Sequence, residues 1–143
     1  MTLNQSKESR EAFERLQKLY KQMEIPFRIL LVEDDSRDIE LINIAFRHYR
    51  VQFKFAMTGE QAVQILSENN LELCLLDLKL SGMSGVDVLK WAQRVKCPVP
   101  MVVLTGLNEH DPMLNEAMNA GAKCIVRKAL EPSDVKIILG AAR

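Results

Sequence analysis

Six side chains in this sequence have types that could do chemistry together: Glu33, Asp34 and Asp35 in one run, then Asp77, Thr105 and Lys128. Each stands at the end of a short apolar stretch. A polar residue closing such a stretch is commonplace, and the plain reading of Asp77 is a carboxylate that caps the following turn. The set as a whole says more. Two carboxylates held ~4 Å apart repel by about 4 kcal/mol at an effective dielectric near 20. A cluster of Glu33, Asp34 and Asp77 would therefore take up a proton or admit a cation. Oxygen-only ligands, without histidine or cysteine beside them, suit Mg²⁺, which keeps several waters and accepts a phosphate oxygen. Carboxylate, metal, hydroxyl and ammonium at one point make a phosphoryl-transfer site. In it Asp77 is the nucleophile and forms an acyl phosphate. The metal and Lys128 offset charge on the transferring group, and Thr105 donates a hydrogen bond.

The elements that must position these residues alternate along the chain. FRILLVE is nearly continuous and apolar, as a strand buried on both faces would be. SRDIELINIAFRHY has helical periodicity, VQFKFAM reads as a strand, and TGEQAVQILSE as a helix with Thr58 and Gln61 placed for a capping box. LELCLLD is the third strand. VDVLKWAQRV is a helix opened by Ser84 with Asp87, and VPMVVLT is the fourth strand. DPMLNEAMNAGA starts with Asp111 as cap and Pro112 in the first turn, and closes at Gly121. KCIVRK is the fifth strand and SDVKIILGAA the last helix. Strands alternating with helices predict an α/β domain with a five-stranded parallel sheet and helices on both faces. The order expected is flavodoxin-like, 2-1-3-4-5, which makes the first and third strands neighbours and puts ligand chemistry where their C-terminal ends meet. On that edge every strand but the second ends in one of the reactive residues.

The bulk properties exclude several alternatives. The 143 residues hold one compact domain and one extra element. Nineteen basic residues balance nineteen acidic ones, so no broad basic field invites nucleic acid or an anionic membrane surface. No apolar stretch reaches the ~18 residues of a membrane span, and no signal-peptide core opens the chain. Cys74, Cys97 and Cys124 are far apart without metal-ligand spacing, and reduced thiols point to the cytoplasm.

The runs ILLVEDD, CLLDLKLSGMSGVDVL, PMVVLTG and AGAKCIVRK, in that order, resemble the receiver domains of response regulators in two-component signalling. The resemblance covers nearly all of residues 27–143, leaving 1–26 as an N-terminal amphipathic helix extension. It implies that Asp77 is the phosphorylation site and that Glu33, Asp34 and Asp77 bind Mg²⁺ with the backbone carbonyl of Lys79. It also implies that Thr105 is the switch hydroxyl, that Lys128 pairs with the phosphoryl group, and that the amides of Lys79 and Gly106 donate to it. The implied partners are a histidine kinase or histidine phosphotransfer protein. Asp35 reads as a helix cap, an outer role toward the metal being the lesser reading. The chain is expected to act as a phosphorelay response regulator rather than an enzyme, with output through protein contacts.

Two positions depart from the family pattern. Ile125 stands where the family has Tyr or Phe, so an aromatic readout must be altered or absent. Ala129 stands where it has Pro after a generally cis bond. A cis bond before alanine costs ~2.5–4 kcal/mol, so Lys128–Ala129 is expected to be trans. These departures motivate the alternative of a receiver-like interaction or dimerisation module that does not switch. Lys79, two residues past Asp77, either shields the acyl phosphate from water or is a solvated loop lysine. It also argues against an aspartate-nucleophile phosphatase, which carries a second aspartate there. A flavin carrier would want a neutral phosphate loop where Glu33, Asp34 and Asp35 stand.

His48 and His110 read as exposed residues, Trp91 as packing, and SGMSG as a turn opening a helix. Residues 7–24 place Phe13, Leu16, Leu19, Tyr20 and Met23 on one helical face, with Glu11–Arg15 and Glu14–Lys18 as i,i+4 pairs, until Pro26 halts the pattern. This helix docks on its own domain, pairs with a second copy, or binds a partner; a homodimer through residues 7–24 or through the last two helices is the associated expectation.

Overall fold

The structure, a computed structural model, describes residues 3–23, 26–68 and 70–142. In chain order the elements are α1 (Leu3–Met23), β1 (Phe27–Val32), α2 (Ser36–Ala45), β2 (Val51–Ala56), α3 (Gly59–Glu68) and β3 (Leu73–Leu76). They continue with α4 (Gly85–Val95), β4 (Met101–Thr105), α5 (Pro112–Asn119), β5 (Cys124–Arg127) and α6 (Pro132–Gly140). The sheet is parallel throughout, with the expected order β2-β1-β3-β4-β5.

Alternation along each central strand divides the interior in two. Leu30 and Val32 of β1 join Cys74, Leu76 and Val103 on the side covered by α3, α4 and α5. Ile29 and Leu31 join Leu73, Leu75, Val102 and Leu104 on the side covered by α2 and α6. A strand buried on both faces cannot show polar alternation, which is why β1, β3 and β4 read as apolar runs. The edge strand β2 does alternate, because Gln52 and Lys54 meet water.

The predicted strands are slightly long. Glu33, Asp77 and Lys128 each lie one residue beyond a strand, although their N–H groups still donate to Ala56, Val32 and Thr105. At these strand ends the three side chains gather at one end of the sheet. Two helix starts have the expected chemistry: Ser84 with Asp87 forms a capping box, and Asp111 caps α5 with Pro112 following. The Thr58 start differs, since Gln61 reaches back one residue further and accepts from the Met57 N–H.

The N-terminal helix begins at Leu3, earlier than the periodicity from residue 7 suggested. It lies on α6. Ala12 and Phe13 are buried, and the Phe13 ring meets Phe27 and Tyr49 edge-on at centroid distances of 5.7 and 5.6 Å. Leu19 is exposed, and Glu14 faces Lys136 at 4.0 Å. The side chains of Tyr20 and Met23, and Ile25, lie outside the described residues. The readings of His48 and His110 as exposed and of Trp91 as packing agree with their environments: both histidines are exposed and Trp91 packs half-buried on the core, while Cys74 is buried. No described helix is long and apolar enough to cross a membrane.

Candidate functional site

The topology brings the first and third strands together, and with them the acids that follow each. One carboxylate oxygen from each of Glu33, Asp34 and Asp77 lies within 4.8 Å of the other two. Glu33 is 1% exposed and Asp77 6%, while Asp34 is half-buried at the mouth. The Lys128 ammonium reaches in from the end of β5, 3.1 Å from Glu33 Oε2 and 3.5 Å from Asp77 Oδ2. Thr105 closes β4 between them, buried, its Oγ1 accepting from the Leu107 N–H at 3.1 Å.

The electrostatics are those of crowded acids half-relieved by one cation. Burial, followed by the charge of Asp77, pushes the Glu33 carboxyl up to about 7, against the relief given by Lys128. Burial raises Asp77 too, more than the Lys128 charge and the Lys79 N–H lower it. Burial alone would lower Lys128, but its hydrogen bond to Asp38 and the charges of Asp77 and Glu33 outweigh that and hold it firmly protonated. Acids kept from full ionisation want a second cation. The donors are all oxygen, with no nitrogen or sulfur among them, and this set fits a hard divalent ion such as Mg²⁺.

Local backbone supports the arrangement. The Lys79 N–H donates to Asp77 Oδ1 at 3.3 Å, and the exposed Lys79 side chain points away from both cores. Gly85 backs onto the strand end: a β-carbon there would strike the Asp77 carbonyl and lie 2.7 Å from Leu78 Cα. The glycines of SGMSG thus serve a turn and a close approach, as expected for the opening of a helix. Asp35 caps α2, accepting from the Arg37 and Asp38 N–H groups. Gly106 follows Thr105 at the exposed rim, where an added β-carbon would sit 3.8 Å from Lys128 Cδ. Ile125 is half-buried against the α3, α4 and α5 side of the core. The Lys128–Ala129 bond is trans, as expected, and Ala129 turns the chain with φ of 70°.

One residue escaped the sequence reading. Asp38 Oδ2 lies 2.7 Å from Lys128 Nζ, the shortest of that ammonium's contacts. The available signal was its place in the first turn of α2, shortly after the acidic run, but an acid in a first helical turn is common for its own reasons.

Comparison with known proteins gives a consistent result. The model of the response regulator receiver domain family matches residues 29–139. The cell cycle transcriptional regulator CtrA of Caulobacter vibrioides is 34% identical over 84 residues, covering 59% of this chain and 36% of CtrA. The response regulator SaeR of Staphylococcus aureus is 29% identical over 108 residues, covering 74% of this chain and 46% of SaeR. The chain thus spans less than half of either relative. Among solved structures, the signal receiver domain of the protein described as the LuxO repressor from Vibrio parahaemolyticus superposes with a TM-score of 0.72 at 28% identity, covering 82% of this chain and 91% of that one. A CheY-like receiver domain from Methanospirillum hungatei, 24% identical over 77% of this chain and 87% of its own, shares the fold with a TM-score of 0.67.

Proposed function

The chain belongs to the response regulator receiver domain family, and from that premise we propose that it is a phosphorelay receiver in which Asp77 accepts the phosphoryl group. The observation that carries the reading is the convergence of Glu33, Asp34 and Asp77 within 4.8 Å, with the Lys128 ammonium 3.5 Å from Asp77. Receiver domains are signalling modules that bind Mg²⁺ at an acidic pocket, and Glu33, Asp34 and Asp77 would hold it here with the Lys79 carbonyl. When bound, the ion supplies positive charge that neutralises the acids and draws in a phosphoryl oxygen.

The protein's own groups do the rest. An Asp77 carboxylate oxygen attacks phosphorus and forms the O–P bond. The bond from phosphorus to the donor breaks, and its electron pair leaves with the donor, an imidazole nitrogen when the donor is a phosphohistidine. Lys128 offsets charge on the phosphoryl oxygens, and Thr105 with the amides of Lys79 and Gly106 supplies hydrogen bonds. A histidine kinase or histidine phosphotransfer protein is the donor in this reading, residues 27–143 are the receiver, residues 1–26 its helical extension, and output passes through protein contacts.

Incubation with acetyl phosphate and Mg²⁺ tests the proposal by mass spectrometry. One added phosphoryl group, absent from Asp77→Ala, is expected; a folded protein that stays unmodified would overturn it. Ile125 and Ala129 support a second reading, an interaction module whose contacts do not change with phosphorylation. In that case partners captured by the wild type and by Asp77→Ala would bind with equal affinity.

A further inference from the structure

Lys128 stands one residue past the end of β5, and four flexible carbons separate its ammonium from the backbone. The carboxylates around the ammonium hold it in place: Asp38 at 2.7 Å, Glu33 at 3.1 Å and Asp77 at 3.5 Å. The ammonium donates hydrogen bonds to Asp38 and Asp77 and is ion-paired with Glu33.

The three partners are not equivalent. Glu33 and Asp77 belong to the acidic trio that fits a divalent ion, whereas Asp38 does not. A dication in the trio would engage those two acids and repel the ammonium beside them. Conversion of the Asp77 carboxylate to an acyl phosphate would also remove the carboxylate's own charge. Among the described residues, Asp38 is then the one carboxylate partner whose charge stays committed to Lys128. Its position is well fixed, because Asp35 caps α2 and accepts from the Asp38 N–H itself. Its side chain is 27% exposed, so its own charge is only partly desolvated.

We propose that Asp38 is a positioning residue, which keeps the Lys128 ammonium at the acidic pocket while Glu33 and Asp77 are engaged by a divalent ion and a phosphoryl group. The inference rests on the reading of Asp77 as phosphoacceptor. Without Asp38, Lys128 falls back onto Glu33 and Asp77, where it competes with the ion and no longer meets the incoming phosphoryl oxygens.

Two readouts test this in wild type, Asp38→Asn, Asp38→Glu, Lys128→Met and the Asp38→Asn/Lys128→Met double variant. One is the rate of Asp77 phosphorylation by acetyl phosphate. The other is the Mg²⁺ dissociation constant by calorimetry, with no donor, near physiological ionic strength. Asp38→Asn is expected to slow phosphorylation about tenfold and to weaken Mg²⁺ several-fold. Asp38→Glu should recover the rate to within about threefold of wild type, and in the Lys128→Met background Asp38→Asn should change either readout by less than about twofold. Wild-type values in Asp38→Asn, or equal losses with and without Lys128, would overturn the proposal and leave Asp38 as a helix-start acid. If wild type takes no phosphoryl group, the reading of Asp77 fails by itself. The Mg²⁺ cycle then decides the Asp38 role alone, and additive losses in that cycle would sink it.

Discussion

Gly140 of α6 packs directly against the backbone carbonyl of Ser9 in α1, so closely that a β-carbon on Gly140 would collide with it. This backbone-to-backbone approach lets the N-terminal helix settle deep enough for Phe13 to enter the core between Phe27 and Tyr49. A helix docked this way is part of its own domain's core, and it covers one face of α6.

Gly140→Val should therefore force α1 away from α6. Overpacking costs about 1–3 kcal/mol, and lifting Phe13 adds to it. Urea denaturation should show the loss, and trypsin should cut after Arg10, Arg15 or Lys18 while residues 27–142 stay folded. Phe13→Ala, which removes a ring 2% exposed, should cost about 3–5 kcal/mol without any clash.

Gln17 offers a change of opposite sign on the same helix. Its side-chain oxygen is buried without a hydrogen-bond partner. Replacement by Leu should stabilise the protein by about 1 kcal/mol, read from the urea midpoint.

Asp77→Asn should abolish phosphoryl uptake and yet stabilise the metal-free protein. Burial disfavours the Asp77 charge more than Lys128 and Lys79 favour it, and Asp77 in turn raises Glu33. A neutral isostere relieves both near pH 8. A melting temperature below wild type in chelator would contradict this electrostatic account.

The pH dependence follows from Glu33, whose carboxyl is held near pH 7 against an ordinary value of 4.5. Between those values the folded state binds a proton that the unfolded chain has released, so stability falls as pH rises through that interval. Metal-free protein should melt at a lower temperature at pH 8 than at pH 5.5. Because Mg²⁺ needs the ionised acid, the melting shift it produces should grow across the same range.

Ala129 has φ of 70°, a left-handed backbone that costs a residue with a β-carbon about 1–2 kcal/mol. Ala129→Gly should recover about 1 kcal/mol in urea denaturation, and unchanged stability would mean that the turn is held without strain.

Much of this molecule was written in its residue pattern. Apolar runs such as residues 29–32 of β1 declare strands buried on both faces, because a polar side chain there would meet a core on either side. Ser84, Asp87, Asp111 and Pro112 mark helix starts, because orphan N–H groups and a fixed φ act over only a few residues. The right-handed crossover rule then made the strand order a small choice, and that order put Glu33, Asp34 and Asp77 at one edge. Local patterns could not reveal contacts between side chains ninety positions apart. The Lys128–Asp38 pair depends on where β5 ends relative to the first turn of α2, and the seating of α1 depends on Gly140 meeting Ser9. Periodicity marks which face of a helix is apolar, but only packing in three dimensions decides what that face covers.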